Sequence, residues 1–163
     1  MVKQRLQQLS ALILTLLLVG CGFQLRDTYQ LPESMQNVAI EASAFSEFGA
    51  VLEQRFNLAG VRIVTPAEAD VVIVISHDQL DRRTLSLSQS GQVAEYELIY
   101  TVDYQLVEPQ SAPRRMQVEV YRDYQDDPNF ALAKTREREV LIREMRDEAA
   151  RQLLRQTIAQ LSE

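Results

Sequence analysis

The sequence predicts an α+β fold in which two helices pack on one face of a mixed or antiparallel β-sheet. Three observations lead there. Phe48 to Phe56 and Leu141 to Leu161 carry apolar residues at three- and four-residue steps, the period of a helix with one apolar stripe. Val71–Ile75, Tyr96–Leu106 and Met116–Tyr124 are β-branched runs or alternate apolar with polar, the period of strands. A helical stripe and an alternating sheet each have one apolar face to hide, so stacking them is the economical solution.

The chain opens on an address. Lys3 and Arg5 give a positive start, and Leu9 to Val19 is almost wholly apolar. The run is short for a transmembrane helix, which needs roughly 20 apolar residues, and has the charge and small-residue exit of a secretory signal peptide. It ends Leu18-Val19-Gly20-Cys21, at the only cysteine. That ending resembles the lipobox of bacterial lipoproteins, in which the cysteine thiol takes a diacylglycerol, the preceding peptide is cut away and the new amino terminus is acylated. The resemblance implies a covalent lipid on Cys21 and no other cofactor. A plain signal peptide with Cys21 just inside the mature chain is the blander reading, but it leaves a lone cysteine after glycine without a role. With no second cysteine, a disulfide within the chain is excluded.

Residues 1–20 are therefore expected to be a signal peptide, 21–36 a lipidated lead-in and 37–163 a single periplasmic domain, large enough for a real core. The net charge of −6 becomes two units more negative once Lys3 and Arg5 are removed. Such a domain is no general nucleic-acid binder, and its overall field would not draw it to anionic lipid. Any anion it recognises must meet a local cluster. Lys3 and Lys134 are the only lysines among 17 basic residues, so Lys134 stands out, although an arginine-rich composition explains the bias more blandly.

Within the domain, Val38–Glu41 reads as a short strand. A helix follows with Ser43 as N-cap, its stripe made of Phe45, Phe48, Val51, Leu52, Phe56 and Leu58, and Gly60 as its stop. Val61–Val64 is a second short strand, ended by Thr65-Pro66. These early strands can join the rest in parallel through the helix. Val71–Ile75 is an unbroken β-branched run, expected to be buried on both faces or covered by a helix. Its polar continuation to Ser88 leads into a two-residue turn at Ser90-Gly91. That turn would pair Leu87 with Ala94, Leu85 with Tyr96 and Arg83 with Leu98. Arg83 is uncomfortable on an apolar face, so a bulge near Asp81–Arg83, or a hairpin projecting beyond the helices, is expected.

Tyr96, Leu98, Tyr100, Val102, Tyr104 and Leu106 then share one face, and Met116, Val118, Val120 and Tyr124 alternate in the next strand with Arg122 in phase. Asp126 to Asn129 breaks that strand. Ala131 to Leu161 is one long helix without Pro or Gly, with a stripe of Leu141, Met145, Ala149 and Leu153 flanked by Ala150, Leu154, Ile158 and Leu161. Glu139–Arg143 and Asp147–Arg151 are four-residue charge pairs, each contributing about 0.2–0.5 kcal/mol.

The residues offer little chemistry. His77 is the only histidine, so neither a Ser-His-Asp triad nor a multi-histidine metal site can be built. Glycines 22, 49, 60 and 91 are scattered and form no phosphate-cradling loop. The carboxylate pairs Asp126-Asp127 and Glu95 with Glu97 fall in a loop and on a strand face. Tyr96, Tyr100 and Tyr104 read as core rather than as a ligand platform. No enzyme is expected.

Three motifs carry a family resemblance: Cys21-Gly-Phe-Gln-Leu-Arg26-Asp27, Gly91-Gln-Val-Ala94-Glu-Tyr96-Glu-Leu98 and Asp127-Pro128-Asn-Phe-Ala131-Leu-Ala-Lys134. In order and spacing the chain resembles the lipopolysaccharide-assembly lipoprotein family LptE, also called RlpB, over nearly the whole mature length. The resemblance implies two helices against a sheet, a place at the periplasmic side of the outer membrane, and a complex with the LptD β-barrel, which the family plugs and helps to assemble. It also implies lipopolysaccharide as ligand. Gly22 fits that address, since the aspartate that retains lipoproteins at the inner membrane is absent. One acyl chain anchors a protein only marginally, at about 10⁴ M⁻¹, so the three expected on Cys21 imply permanent anchoring.

A lipopolysaccharide site needs cations for phosphates beside apolar surface for acyl chains. Lys134, in the family-like Ala-Leu-Ala-Lys motif, is the first candidate. Arg136 and Arg138 follow it, and Arg82, Arg83 and Arg122 can approach from the sheet. Gln89, at the hairpin tip, is neutral where some relatives carry a base. Two other classes remain open: a pilotin-like lipoprotein escorting another outer-membrane assembly, and a regulator of peptidoglycan synthesis.

Overall fold

The computed structural model describes Arg5 and residues 30–162. Apart from Arg5, the expected signal peptide lies outside the described residues, as do Cys21, Gly22 and the first family-like motif. Strand β1 (Asn37–Glu41) leads through helix α1 (Glu47–Leu58) to the two-residue strand β2 (Arg62–Ile63). Three long strands follow, β3 (Val71–Leu87), β4 (Val93–Val107) and β5 (Arg114–Gln125), and then helix α2 (Ala131–Leu161). The sheet order is β2-β1-β3-β4-β5. β1 pairs in parallel with both β2 and β3, whereas β3–β4 and β4–β5 are antiparallel, so the sheet is mixed.

Both helices bury their stripes into one core. From α1 come Phe48, Leu52 and Phe56; from α2, Met145, Ala149, Ala150, Leu153 and Leu154. The sheet answers with Val38, Val71, Ile73, Leu98, Tyr100, Val102, Tyr104, Leu106, Val118 and Val120. Each fully buried large side chain contributes about 1.5–3 kcal/mol relative to exposure. Tyr100 and Tyr104 keep their hydroxyls satisfied by donating to Asp78 (2.7 Å) and Gln156 (3.0 Å). The α1–α2 seam adds ion pairs of Arg55 with Asp147 and of Arg146 with Glu47 (2.5 Å). Of the two expected charge pairs in α2, Asp147–Arg151 forms at 2.9 Å, while Glu139 and Arg143 do not pair with each other.

Further expectations are corrected. The N-cap of α1 is Ser46, whose Oγ accepts the Gly49 N–H at 3.0 Å; Ser43 instead accepts, through its carbonyl, the Ser46 N–H of the preceding turn. Phe45, now ahead of the helix, and Leu58, its last residue, leave the stripe and stand 97% and 72% exposed. Of the two alternatives for Val71–Ile75, cover by the helices holds: Val71 and Ile73 are buried beneath them while Val72 and Val74 are half-buried. The hairpin turn uses three residues rather than two. Ser88 N–H donates to Gln92 O (2.7 Å), Gly91 N–H to Ser88 O (2.9 Å), and Gly91 takes φ +79°. A left-handed residue at this point is the usual companion of a three-residue loop. Leu87 therefore pairs with Val93, Thr84 with Tyr96 and Arg82 with Leu98.

The irregularities lie at Ile75/His77 and from Thr84 to Leu87, not at Asp81–Arg83. The shifts between Thr84 and Leu87 cancel, so the three-residue turn itself sets Arg83 opposite Glu97, with which it pairs at 2.6 Å, and relieves the clash expected with Leu98. From Gln79 to Leu85 every β3 residue is exposed, so this length of hairpin does extend past the helical cover.

Candidate functional site

The cross-strand register places the sheet's candidate cations. One row across β3, β4 and β5 reads Arg82, Leu98, Arg122, and the next on the same side reads Thr84, Tyr96, Tyr124. Leu98 and Tyr124 are buried on the helix side, so Arg82 and Arg122 share that side, flanking Leu98. The Arg82 guanidinium lies over the Tyr96 ring at 5.0 Å, and Lys134 Nζ lies over the Tyr124 ring at 5.5 Å. The Tyr124 hydroxyl donates to the Lys134 carbonyl at 2.9 Å, fastening the start of α2 to the end of β5. Burial pushes the Tyr124 hydroxyl pKa up, with the Asp126 charge adding to it and the charges of Lys134 and Arg138 opposing. Lys134 is itself raised, chiefly by its bond to Glu137 at 2.9 Å, and so stays charged.

Arg82, Arg122 and Lys134 thus come together on one side, with Arg138 near enough to Tyr124 to affect its ionisation. Arg83 does not join them. It stands on the other side of the sheet in the row Arg83, Glu97, Asp123, neutralised by Glu97. Arg136, two residues beyond Lys134, is turned about 200° around the helix and is exposed there. Arg122 Nη1 donates to the Tyr121 carbonyl at 2.8 Å. The sequence could place Arg82 and Arg122 only by register, and the three-residue turn set that register.

Apolar surface accompanies these cations. Leu80, Leu85 and Leu87 of β3, Phe130 and Leu132 at the start of α2, and Val140 further along that helix are exposed. A cavity of about 450 Å³ at this end is lined by Leu85, Glu95, Asp123, Tyr124, Gln125, Lys134 and Glu137. Hydrogen bonds from Gln125 and Ser86 hold the Glu95 carboxyl below its usual range. With three carboxylates and one lysine, the cavity interior suits a cation. An anion is better met outside it, by Arg82, Arg122 and the outer side of Lys134.

Elsewhere the side chains read as structure. His77 is exposed and bonded to Gln79 at 2.9 Å. Among the described residues no group of three His, Cys, Asp or Glu could hold a metal ion. Among them, too, no helix is long and apolar enough to cross a membrane. Asp127 caps the turn that opens α2, accepting the Asn129 N–H at 2.9 Å. Sequence reasoning missed Thr157, buried in the core beside Tyr104.

Residues 35–157 match the model of a family described as LptE, lipopolysaccharide-assembly. The LPS-assembly lipoprotein LptE of Pectobacterium atrosepticum is 32% identical over 160 residues, spanning 96% of this chain and 86% of that protein. Among solved structures, rare lipoprotein B of Shewanella oneidensis superposes with a TM-score of 0.70 at 38% identity, covering 76% of this chain and 95% of that one. Lipoprotein B of Nitrosomonas europaea gives 0.71 at 34% identity, covering 86% and 93%.

Proposed function

The chain belongs to the LptE lipopolysaccharide-assembly family, and on that premise we propose that it is an outer-membrane lipoprotein of the same assembly. Anchored by lipid on Cys21 and facing the periplasm, it forms a complex with an LptD-type β-barrel, supports assembly of that barrel, and helps deliver lipopolysaccharide to the outer leaflet. It performs no covalent chemistry. The family match over 35–157, which takes in the whole sheet and most of α2, carries this reading.

The charge arrangement supports the ligand half. Lipopolysaccharide presents phosphates beside acyl chains. Arg82 and Arg122 offer planar guanidinium groups suited to bidentate phosphate contact, Lys134 adds a point charge, and Leu85, Leu87, Phe130 and Leu132 lie exposed at the same end. Arg83 and Arg136 are demoted to peripheral contacts, since one is neutralised on the far side and the other points away from the group.

Affinity-tagged protein purified from detergent-solubilised envelopes tests the partner half. The expected companion is a large β-barrel of the LptD type in near-equal amount. Co-purification of a different outer-membrane assembly would favour a pilotin, and recovery with the sacculus alone would favour a peptidoglycan regulator.

A further inference from the structure

We propose that the outer edge of β5 is a strand-docking site for an extended segment of another polypeptide, one with basic side chains opposite Glu119 and Asp123. The inference rests on sheet geometry and is independent of the lipopolysaccharide reading. Among the described residues β5 is the last strand of the sheet, and no strand pairs with its outer side. At the opposite edge, β2 is only two residues long, whereas β5 runs for 12. Proteins usually blunt such edges, because a long row of open backbone groups is a template for pairing.

The open groups can be assigned. Asp126 N–H donates to Ala94 O at 3.0 Å, and the β4–β5 register continues from that pair. In an antiparallel ladder hydrogen-bonded pairs alternate, so Tyr124, Arg122, Val120, Val118 and Met116 turn their backbone groups toward β4. Gln125, Asp123, Tyr121, Glu119, Gln117 and Arg115 turn theirs outward. The Arg122 side chain confirms the phase, since it reaches the Tyr121 carbonyl that should point away from the sheet. That one contact is the edge's only side-chain cover on a backbone group among the described residues, and an incoming strand would displace it.

Charge selects the occupant. The outward-turned residues read Arg115, Gln117, Glu119, Tyr121, Asp123, Gln125, with one cation at the start and two anions beyond it. For a second copy, the longest two-fold register, which sets Arg115 against Asp123, also sets Glu119 against itself, and like charges directly opposite are destabilising. A foreign strand with bases opposite Glu119 and Asp123 and an acid opposite Arg115 meets no such conflict. Two depressions flank the edge. One of about 420 Å³ lies between Met116, Gln117, Gln156, Ala159 and Gln160, with Arg115 at its rim, and suits a small uncharged side chain. The carboxylate-lined cavity at Asp123 and Glu137 suits another base. Main-chain bonds would supply affinity, and these side-chain positions would supply selectivity.

The test uses amide hydrogen exchange on the full-length protein. The probe is a synthetic peptide that places lysines opposite Glu119 and Asp123, glutamate opposite Arg115 and alanine beside Met116; a scrambled peptide is the control. In the free protein the amides of Val118, Val120 and Arg122 should be protected, and those of Gln117, Glu119 and Tyr121 should exchange freely. The matched peptide should slow the second set and leave the first unchanged. Tyr121→Pro removes an outward N–H without touching the β4 ladder, and should weaken peptide binding roughly tenfold. Reversing both anions, Glu119→Lys with Asp123→Lys, leaves the backbone intact and should do likewise. Equal slowing by the scrambled peptide, protection elsewhere in the sheet, or concentration-dependent protection without peptide would overturn the proposal, the last by showing a second copy on the edge.

Discussion

The two ends of the β3–β4 ribbon have the same backbone ladder and opposite surroundings. At the covered end Ile73 pairs with Leu106, and both are fully buried beneath the helices. At the open end Leu80, Leu85 and Leu87 are exposed, Arg82 and Arg83 point to opposite sides of the sheet, and helical cover is limited to the first turns of α2. The covered end is where stability resides, since apolar area leaves water there. At the open end cations and apolar side chains are held on a stiff ladder yet remain free to meet something else. A polar or charged residue buried at the first end would be costly; at the second, exposed, it keeps its hydration.

The largest expected effect separates the two ends directly. Phe48→Ala opens a cavity between α1 and Tyr100, whose ring centroid lies 6.1 Å from that of Phe48, and should destabilise by about 3–5 kcal/mol in urea unfolding. Leu87→Ala at the open end, where the side chain is 62% exposed, should stay within about 0.5 kcal/mol. A comparable loss at Leu87 would mean that the hairpin is packed and the contrast false.

A smaller effect appears on the alkaline side. Burial raises the hydroxyl of Tyr104 to about 12 and that of Tyr100 higher still, the latter helped by Asp78. Both folded-state values lie above the unfolded value of about 10, so the folded protein holds these protons more tightly. That stability is complete below pH 10 and is lost as pH rises through the folded values, about 3 kcal/mol of it from Tyr104 alone. Tyr121 is also raised, by its bond to Glu119, but it is exposed at the open end and should ionise without unfolding. Ultraviolet titration alongside circular dichroism should show the Tyr121 phenolate forming before loss of structure, and those of Tyr100 and Tyr104 only with it. Simultaneous ionisation of all would blur the comparison.

What the sequence disclosed follows the same division. At the covered end alternation and helical period were enough: α2 spans Ala131–Leu161 as expected, and its stripe of Met145, Ala149 and Leu153 is buried. Burial imposes a period, and a period can be read. At the open end β3 is exposed from Gln79 to Leu85 and β4 is no more than half-buried from Val93 to Glu97, so register depended on a single turn. The Gly91 conformation moved Arg83 from Leu98 to Glu97 and put Arg82 in its place. The cap of α1 slipped for a related reason. Ser43 and Ser46 are chemically equal, and the choice fell on the one that leaves Phe45 in solvent and starts the stripe at Phe48. Lys134 was visible as a lysine among arginines, but its seat over Tyr124 and its bond to Glu137 required the fold.

The most direct test of the open end as the working surface is binding of purified protein to labelled lipopolysaccharide, with two charge reversals compared. Arg82→Glu with Lys134→Glu alters the open end on the helix side, whereas Arg62→Glu with Arg115→Glu makes the same change in net charge at exposed positions elsewhere. With both variants shown to be folded, the first should weaken binding roughly tenfold or more and the second should stay within about twofold of the parent protein. Equal losses in the two, or no loss in the first, would contradict the account.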